Sequence, residues 1–180
     1  MNEIVSYSNR LTKILYSAAA FSLLLAVFAG YLYQKATPLK LFSENYRSYD
    51  RHILRGSSGF SALKDAYSKG ELDSVIYDFK ASNSPVPEDY LLAGIAYLEN
   101  KQPQKAIATF KVIIQKNIES NSDFFQEEAE YYLAMSYLDN QQPEKALPIF
   151  KNIQADKENR YNSTVSDWFM LKMKISVARK

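Results

Sequence analysis

The side chains best suited to catalysis are scarce in this sequence. It holds one histidine, His52, and no cysteine. A lone imidazole has no second histidine with which to complete a metal site, and neither an HExxH nor an HxE arrangement occurs. Without cysteine, thiolate nucleophiles, thiolate metal ligands and disulfides are excluded. His52 therefore reads as an exposed or packed structural residue. Gly56-Ser57-Ser58-Gly59 has small residues, but not the order of a nucleophile elbow or a phosphate loop, and suits a turn. Glu127, Glu128 and Glu130 cluster at a helix start, where negative charge complements the helix dipole. Asn162-Ser163-Thr164 matches the glycosylation acceptor pattern, which carries weight only on a eukaryotic secretory route. The expectation is a protein that is not an enzyme and needs neither cofactor nor metal.

Charge removes another class. Arg10, Lys13 and Lys35 against Glu3 account for the whole net charge of +2, so residues 36–180 carry equal numbers of acidic and basic side chains. A neutral domain lacks the basic footprint that nucleic acid requires. The 14 tyrosines and 10 phenylalanines suit gaps between short helices, where a Tyr ring packs while its hydroxyl finds a polar partner.

The elements become legible from an internal repeat. YLENKQPQKAIATFK (Tyr97 to Lys111) aligns without a gap on YLDNQQPEKALPIFK (Tyr137 to Lys151), nine of 15 positions being identical at an offset of 40. Before each polar turn lies a helix-period apolar run: Tyr90, Leu91, Ala93, Gly94, Tyr97 and Leu98, then Tyr131, Leu133, Ala134, Tyr137 and Leu138. Pro103 and Pro143 follow the turn, at the helical position where a missing N–H is harmless. The second helix presents Ala106, Ile107 and Phe110, or Ala146, Leu147 and Phe150. Small Gly94 or Ala134 facing small Ala106 or Ala146 permits a close helix crossing, with large rings filling the neighbouring space. Each unit reads as an antiparallel helical hairpin.

On these residues the chain resembles the tetratricopeptide repeat family. Gly94, Tyr97, Ala106 and Phe110 in one unit, and Tyr137, Ala146 and Phe150 with Leu133-Ala134 in the next, stand at its repeat-defining places. Tyr90 and Glu130 replace the family's Trp, and Ile118 and Glu158 stand where its closing Pro is expected. The period is 40 rather than about 34, which places extra linker residues near Glu119–Gln126; HEAT-like helical repeats share the longer period and are the competing fold. A degenerate unit precedes these over Phe60 to Lys80, with Ala66-Tyr67, a turn at Gly70-Glu71, then Val75 and Phe79. Ser166 to Ala178 reads as a capping helix, with Trp168, Leu171 and Ile175 on one face, and Lys172, Lys174, Arg179 and Lys180 wetting the other.

The resemblance implies a partner groove lined by the first helices. Its floor would be Leu91, Ile95 and Leu98, then Tyr131, Met135 and Leu138, with Glu88, Glu99, Glu128 and Asp139 at the rim. Such a surface suits an apolar or amphipathic protein segment of some basic character. The family members that clamp a chaperone's terminal carboxylate use Lys and Asn where Leu91 and Ile95 stand, so that subtype is not expected. The alternative is that these apolar residues are simply repeat core.

Ahead of the repeats, Ile14 to Tyr33 runs 20 residues without a charge. At about 1.5 Å per residue such a helix spans roughly 30 Å, a bilayer's hydrocarbon thickness. Arg10 and Lys13 flank one end and Lys35 the other, and Tyr31 and Tyr33 lie where an aromatic belt forms. A cleaved leader, cut after Val27-Phe28-Ala29, is the competing reading. Ala18, Ser22, Ala26 and Gly30 recur every four residues, a spacing that lets two membrane helices pack closely into a homodimer, although Ala and Ser are common in such helices anyway. The basic flanks are balanced, so orientation rests on the 13-residue tail, whose shortness favours a cytoplasmic tail and an exported repeat domain.

The expected layout is all-α: a tail over 1–13, a transmembrane helix over 14–33, a juxtamembrane connector over 34–55 with a short helix near Leu41–Tyr49, and repeats over 56–180. Within the last, the units fall near 56–82, 87–120 and 127–160, with the cap at 164–180. The arrangement resembles bacterial single-pass proteins with an exported repeat domain, some of which accompany protein translocation or envelope assembly. A cytosol-facing receptor and a soluble exported protein are the alternatives.

Overall fold

Four of the helices start at a proline, and the hairpins follow from where those prolines fall. The computed structural model describes residues 2–50 and 62–179, so His52 and the Gly56–Gly59 turn lie outside the described residues. In chain order the helices are α1 (Asn2–Lys35), α2 (Pro38–Asn45), α3 (Ala62–Lys69), α4 (Leu72–Ala81), α5 (Pro87–Glu99), α6 (Pro103–Ser120), α7 (Gln126–Asp139), α8 (Pro143–Ala155) and α9 (Asp167–Ala178). No strand occurs among the described residues.

Helices α3–α4, α5–α6 and α7–α8 form three hairpins, and α4 packs on α5 and α6 on α7, so that the hairpins stack in series. The first helices also meet across the stack, α3 against α5 and α5 against α7. The two clear repeats turn identically. After α5, the Gln102 N–H donates to the Tyr97 carbonyl (2.8 Å) and the Lys101 N–H to Leu98 (3.1 Å); after α7, Gln142 and Gln141 donate to Tyr137 (2.8 Å) and Leu138 (3.0 Å). This is a Schellman closure, which places the residue after the cap in the left-handed region. Here those residues are Lys101 (φ 54°) and Gln141 (φ 55°) rather than glycine, whereas the degenerate hairpin does use Gly70 (φ 80°).

One expectation is corrected by the packing. The long period comes mainly from α6 itself, which has 18 residues against 13 in α8; the linker beyond it is short and stapled by Asn117, whose side-chain amide donates to Phe124 O and Gln126 Oε1. Gly94 is closely apposed to the Phe110 ring: a Cβ there would lie 2.6 Å from Phe110 Cε1.

The connector helix also differs from its expected place. It runs over Pro38–Asn45, opened by Thr37, whose Oγ1 accepts from Lys40 N–H, and it gives way to extended backbone at Tyr46. Its Leu41 and Phe42 are buried in the same core as the repeats, so this segment belongs structurally to the array.

At the C-terminal end, α9 is apolar nearly all round. Phe169, Met170, Met173 and Ser176 face inward against α8. Lys172, expected to be wet, is buried, and its Nζ lies 2.6 Å from Glu44 Oε2 of α2. The opposite side of α9 meets α1. Over Leu15–Lys35, α1 is long and apolar enough to cross a membrane and turns that surface outward. Only near its end does it join the array, through buried Leu32 and the following Ala36.

Candidate protein-docking face

The shared face of α3, α5 and α7 carries the residues expected to line a groove. Leu91, Ile95 and Leu98 on α5, and Tyr131, Met135 and Leu138 on α7, are all buried in the one hydrophobic core, as the repeat-core alternative has it. The expected open groove is not open: part of this face is covered by the chain's own residues 41–49. Helix α2 packs on α7, and the extended stretch from Tyr46 then crosses toward α3.

What holds that stretch is main-chain recognition by tyrosine. The Tyr131 hydroxyl donates to the Asn45 carbonyl (2.7 Å), that of Tyr132 to Arg47 (2.9 Å), and that of Tyr67 to Tyr49 (3.4 Å). Tyr131 also accepts from the Arg47 N–H at 3.1 Å. Three hydroxyls on α7 and α3 thus take the carbonyls of alternate residues 45, 47 and 49, the first at the end of α2 and the other two in the stretch that follows. Burial pushes the Tyr131 phenol up to about 12 and raises that of Tyr132 further, which extends their donor form beyond the pH at which an ordinary phenol ionises.

The rings behind these hydroxyls are fixed. Tyr131 stacks on Tyr161 at 4.0 Å between centroids, and Tyr132 on Phe110 at 5.9 Å. Tyr132 also meets Tyr46 and Tyr49 of the covering segment edge-on. Tyr67 and Tyr132 were not among the expected groove residues. Their signal was their position, one tyrosine on each of two first helices with no core reason for a hydroxyl.

Every carboxylate of the expected rim is engaged within the chain. Glu99 accepts from the Tyr46 hydroxyl (2.8 Å) and Ser48 Oγ (3.1 Å). Burial, and then the adjacent Glu99 charge, raise the Tyr46 phenol well above its ordinary range. Glu88 pairs with Lys64 at 2.5 Å and Asp139 with Lys101 at 3.9 Å, while Glu128 is held by the Arg160 guanidinium. Lys101 also lies over the Phe42 ring, 5.1 Å from its centroid.

The repeat-defining residues Gly94, Tyr97, Ala106, Phe110, Tyr137, Ala146 and Phe150 are all buried. Their surroundings repeat too, with Lys105 over Tyr97 and Lys145 over Tyr137 at 5.7 and 5.8 Å. Asn162 of the acceptor-like triplet is taken up structurally: its amide donates to the Ile153, Gln154 and Asp156 carbonyls at the end of α8. On α1, Ala18, Ser22, Ala26 and Gly30 lie exposed; Ser22 Oγ bonds the Ala18 carbonyl of its own helix, and a Cβ at Gly30 would meet nothing within 4 Å.

Stacked helical hairpins whose first helices line one face define a helical-repeat interaction scaffold. The sequence model of the tetratricopeptide repeat matches residues 90–117 and 128–156, which fall on α5–α6 and α7–α8. The chain thus carries two tetratricopeptide repeats. No curated protein and no solved structure matches it.

Proposed function

We propose that the protein is a membrane-tethered scaffold that receives an extended segment of a protein partner on the face formed by Leu91, Ile95, Leu98, Glu99, Tyr131, Met135, Leu138 and Asp139. The observation that carries this is the register of the Tyr131, Tyr132 and Tyr67 hydroxyls with alternate main-chain carbonyls. Contacts to carbonyls do not depend on side-chain identity, so a partner segment can take the place of residues 45–49, with aromatic anchors for affinity. The family's use as a non-catalytic interaction scaffold supports the same reading.

In this proposal residues 14–33 span the bilayer, the short tail is cytoplasmic, and the repeats over 56–180 are exported, in a role in bacterial envelope protein translocation or assembly. Protease added to intact spheroplasts digests exported repeats and spares cytosolic ones, which tests the orientation. A photocrosslinker at Met135 tests the docking face. It should capture both the chain's own 41–49 segment and a partner peptide, the latter increasing when Tyr46→Ala on the covering segment removes its hydrogen bond to Glu99 and its ring contact with Tyr132. Exclusively intramolecular crosslinks in cells would overturn the docking reading.

A further inference from the structure

The side of α9 that meets α1 is apolar. Trp168 and Leu171 are 45% and 42% exposed, and half-buried Ile175 lies on the same side at helical spacing. Large exposed apolar side chains on a capping helix are unusual, because a terminal element ordinarily turns a polar surface outward. Their location gives the reason. The Trp168 ring lies 6.4 Å from that of Phe28 in α1. At the other end of α9, the Arg179 guanidinium sits over the Tyr33 ring, 3.9 Å from its centroid, and donates to the Tyr33 carbonyl. Phe28 is seven residues before Lys35, about 10 Å along the helix. Trp168 is therefore level with α1 residues well inside the apolar run, whereas Arg179 is level with its mouth.

We infer that α9 is the membrane-contacting element of the repeat domain, with Trp168 and Leu171 seated in the interfacial layer of the bilayer that α1 crosses. This rests on the reading of α1 as a span. The occupant is a lipid surface because the apolar side of α9 is continuous with the outward apolar surface of α1, from which it differs only in belonging to the soluble array. The surrounding charges agree. Lys174, Arg179 and Lys40 are exposed around this end, a set that suits phosphate headgroups. Two acids on α2 and α9 are compensated within the chain: Asp167 accepts from Gln154 on α8, and Glu44 is paired with Lys172 and, at 3.9 Å, with Lys35. Leu39, four residues beyond α1, is exposed at the same end. An indole at this depth matches the preference of tryptophan for the membrane interface.

Trp168 is the only tryptophan in the chain, so its fluorescence reports this site alone. The experiment uses the full chain reconstituted in phosphatidylcholine–phosphatidylglycerol vesicles carrying lipids brominated either high on the acyl chain or near its terminal methyl. The expected result is a blue-shifted emission, quenched more by the shallow bromine than by the deep one and little affected by iodide. A companion variant, Leu23→Trp in a Trp168→Phe background, puts the indole near the middle of α1 and reports the span independently. If that variant is quenched by deep bromine while Trp168 stays iodide-accessible and insensitive to bromolipid, the inference is overturned and the span stands. If neither indole is quenched by lipid, both fall.

Discussion

Adding one methyl group at Gly94 tests how tightly the first repeat is packed. In Gly94→Ala the new carbon would lie 2.6, 2.7 and 3.0 Å from Cε1, Cζ and Cδ1 of Phe110. Ordinary carbon–carbon contact is about 3.5–4.0 Å, so the ring must retreat by roughly 1 Å. It has no free direction, being fully buried and stacked on Tyr132, whose hydroxyl is committed to Arg47. Overpacking of this kind costs about 1–3 kcal/mol, and the trapped ring places this site toward the upper end. Alanine returns about 1 kcal/mol of helix propensity, leaving a net loss of about 2 kcal/mol. The equivalent residue of the second repeat is Ala134, 40 positions on, which already carries that methyl. Ala134→Gly should lose about 1 kcal/mol through propensity alone. Opposite substitutions at equivalent positions are thus both expected to destabilise, where propensity alone gives them opposite signs. Urea denaturation of the full chain in mild detergent, followed by far-ultraviolet ellipticity, measures both. Phe110→Leu in the Gly94→Ala background should recover part of the loss, as a coupling of about 1 kcal/mol in a double-mutant cycle. A Gly94→Ala protein as stable as its parent, or more so, would refute the close apposition.

Four further outcomes follow from the contacts. Tyr131→Phe removes both a donor to Asn45 and an acceptor for Arg47, costing about 1–2 kcal/mol and exposing the peptide bond after Arg47 to trypsin; unchanged cleavage there would contradict the tie. Gln141→Gly relieves a left-handed backbone at a Schellman closure and should raise stability by about 1 kcal/mol, visible as a higher melting temperature. The Lys172 hydrogen bond holds the Glu44 carboxyl below its ordinary value of 4.5, so the α2–α9 tie is present above that value and lost as pH falls through the lowered one. Glu44→Gln should abolish that acid-side decrement. Burial raises Tyr131 from 10.0 to about 12, so its contribution is complete below pH 10 and disappears as pH rises from there toward 12; phenolate absorbance and stability should change together over that window.

The two clear hairpins were legible because a repeated unit states its structure twice. The pairs Tyr97/Tyr137, Ala106/Ala146 and Phe110/Phe150 mark positions where shape is constrained, and the offset carries that information without knowledge of the fold. The length of α6 was not legible, since residues 111–120 have no counterpart that separates helix from linker. Lys172 was misplaced for a physical reason: a lysine on an apolar helix is wet by default, and only the distant Glu44, 128 positions away, makes its burial tolerable. The covering of the docking face was invisible for a deeper one. Tyr67, Tyr131 and Tyr132 recognise carbonyl oxygens, which every residue possesses, and the Tyr46, Ser48 and Tyr49 side chains that add to the contact have no spacing that distinguishes them from an ordinary connector.

That covering segment sets a threshold for any competitor. Residues 45–49 directly precede, in the same chain, the helices whose face they occupy, and a tethered ligand acts at an effective concentration on the order of millimolar. A free partner segment of equal intrinsic affinity, present at about 1 μM, would hold the face roughly one part in a thousand of the time. A successful partner must bind far more tightly, or be concentrated in turn. Confinement to the same bilayer would do this, by restricting partner and scaffold to a layer a few nanometres deep. The scaffold would then answer to neighbours in its membrane and remain closed to proteins diffusing past it.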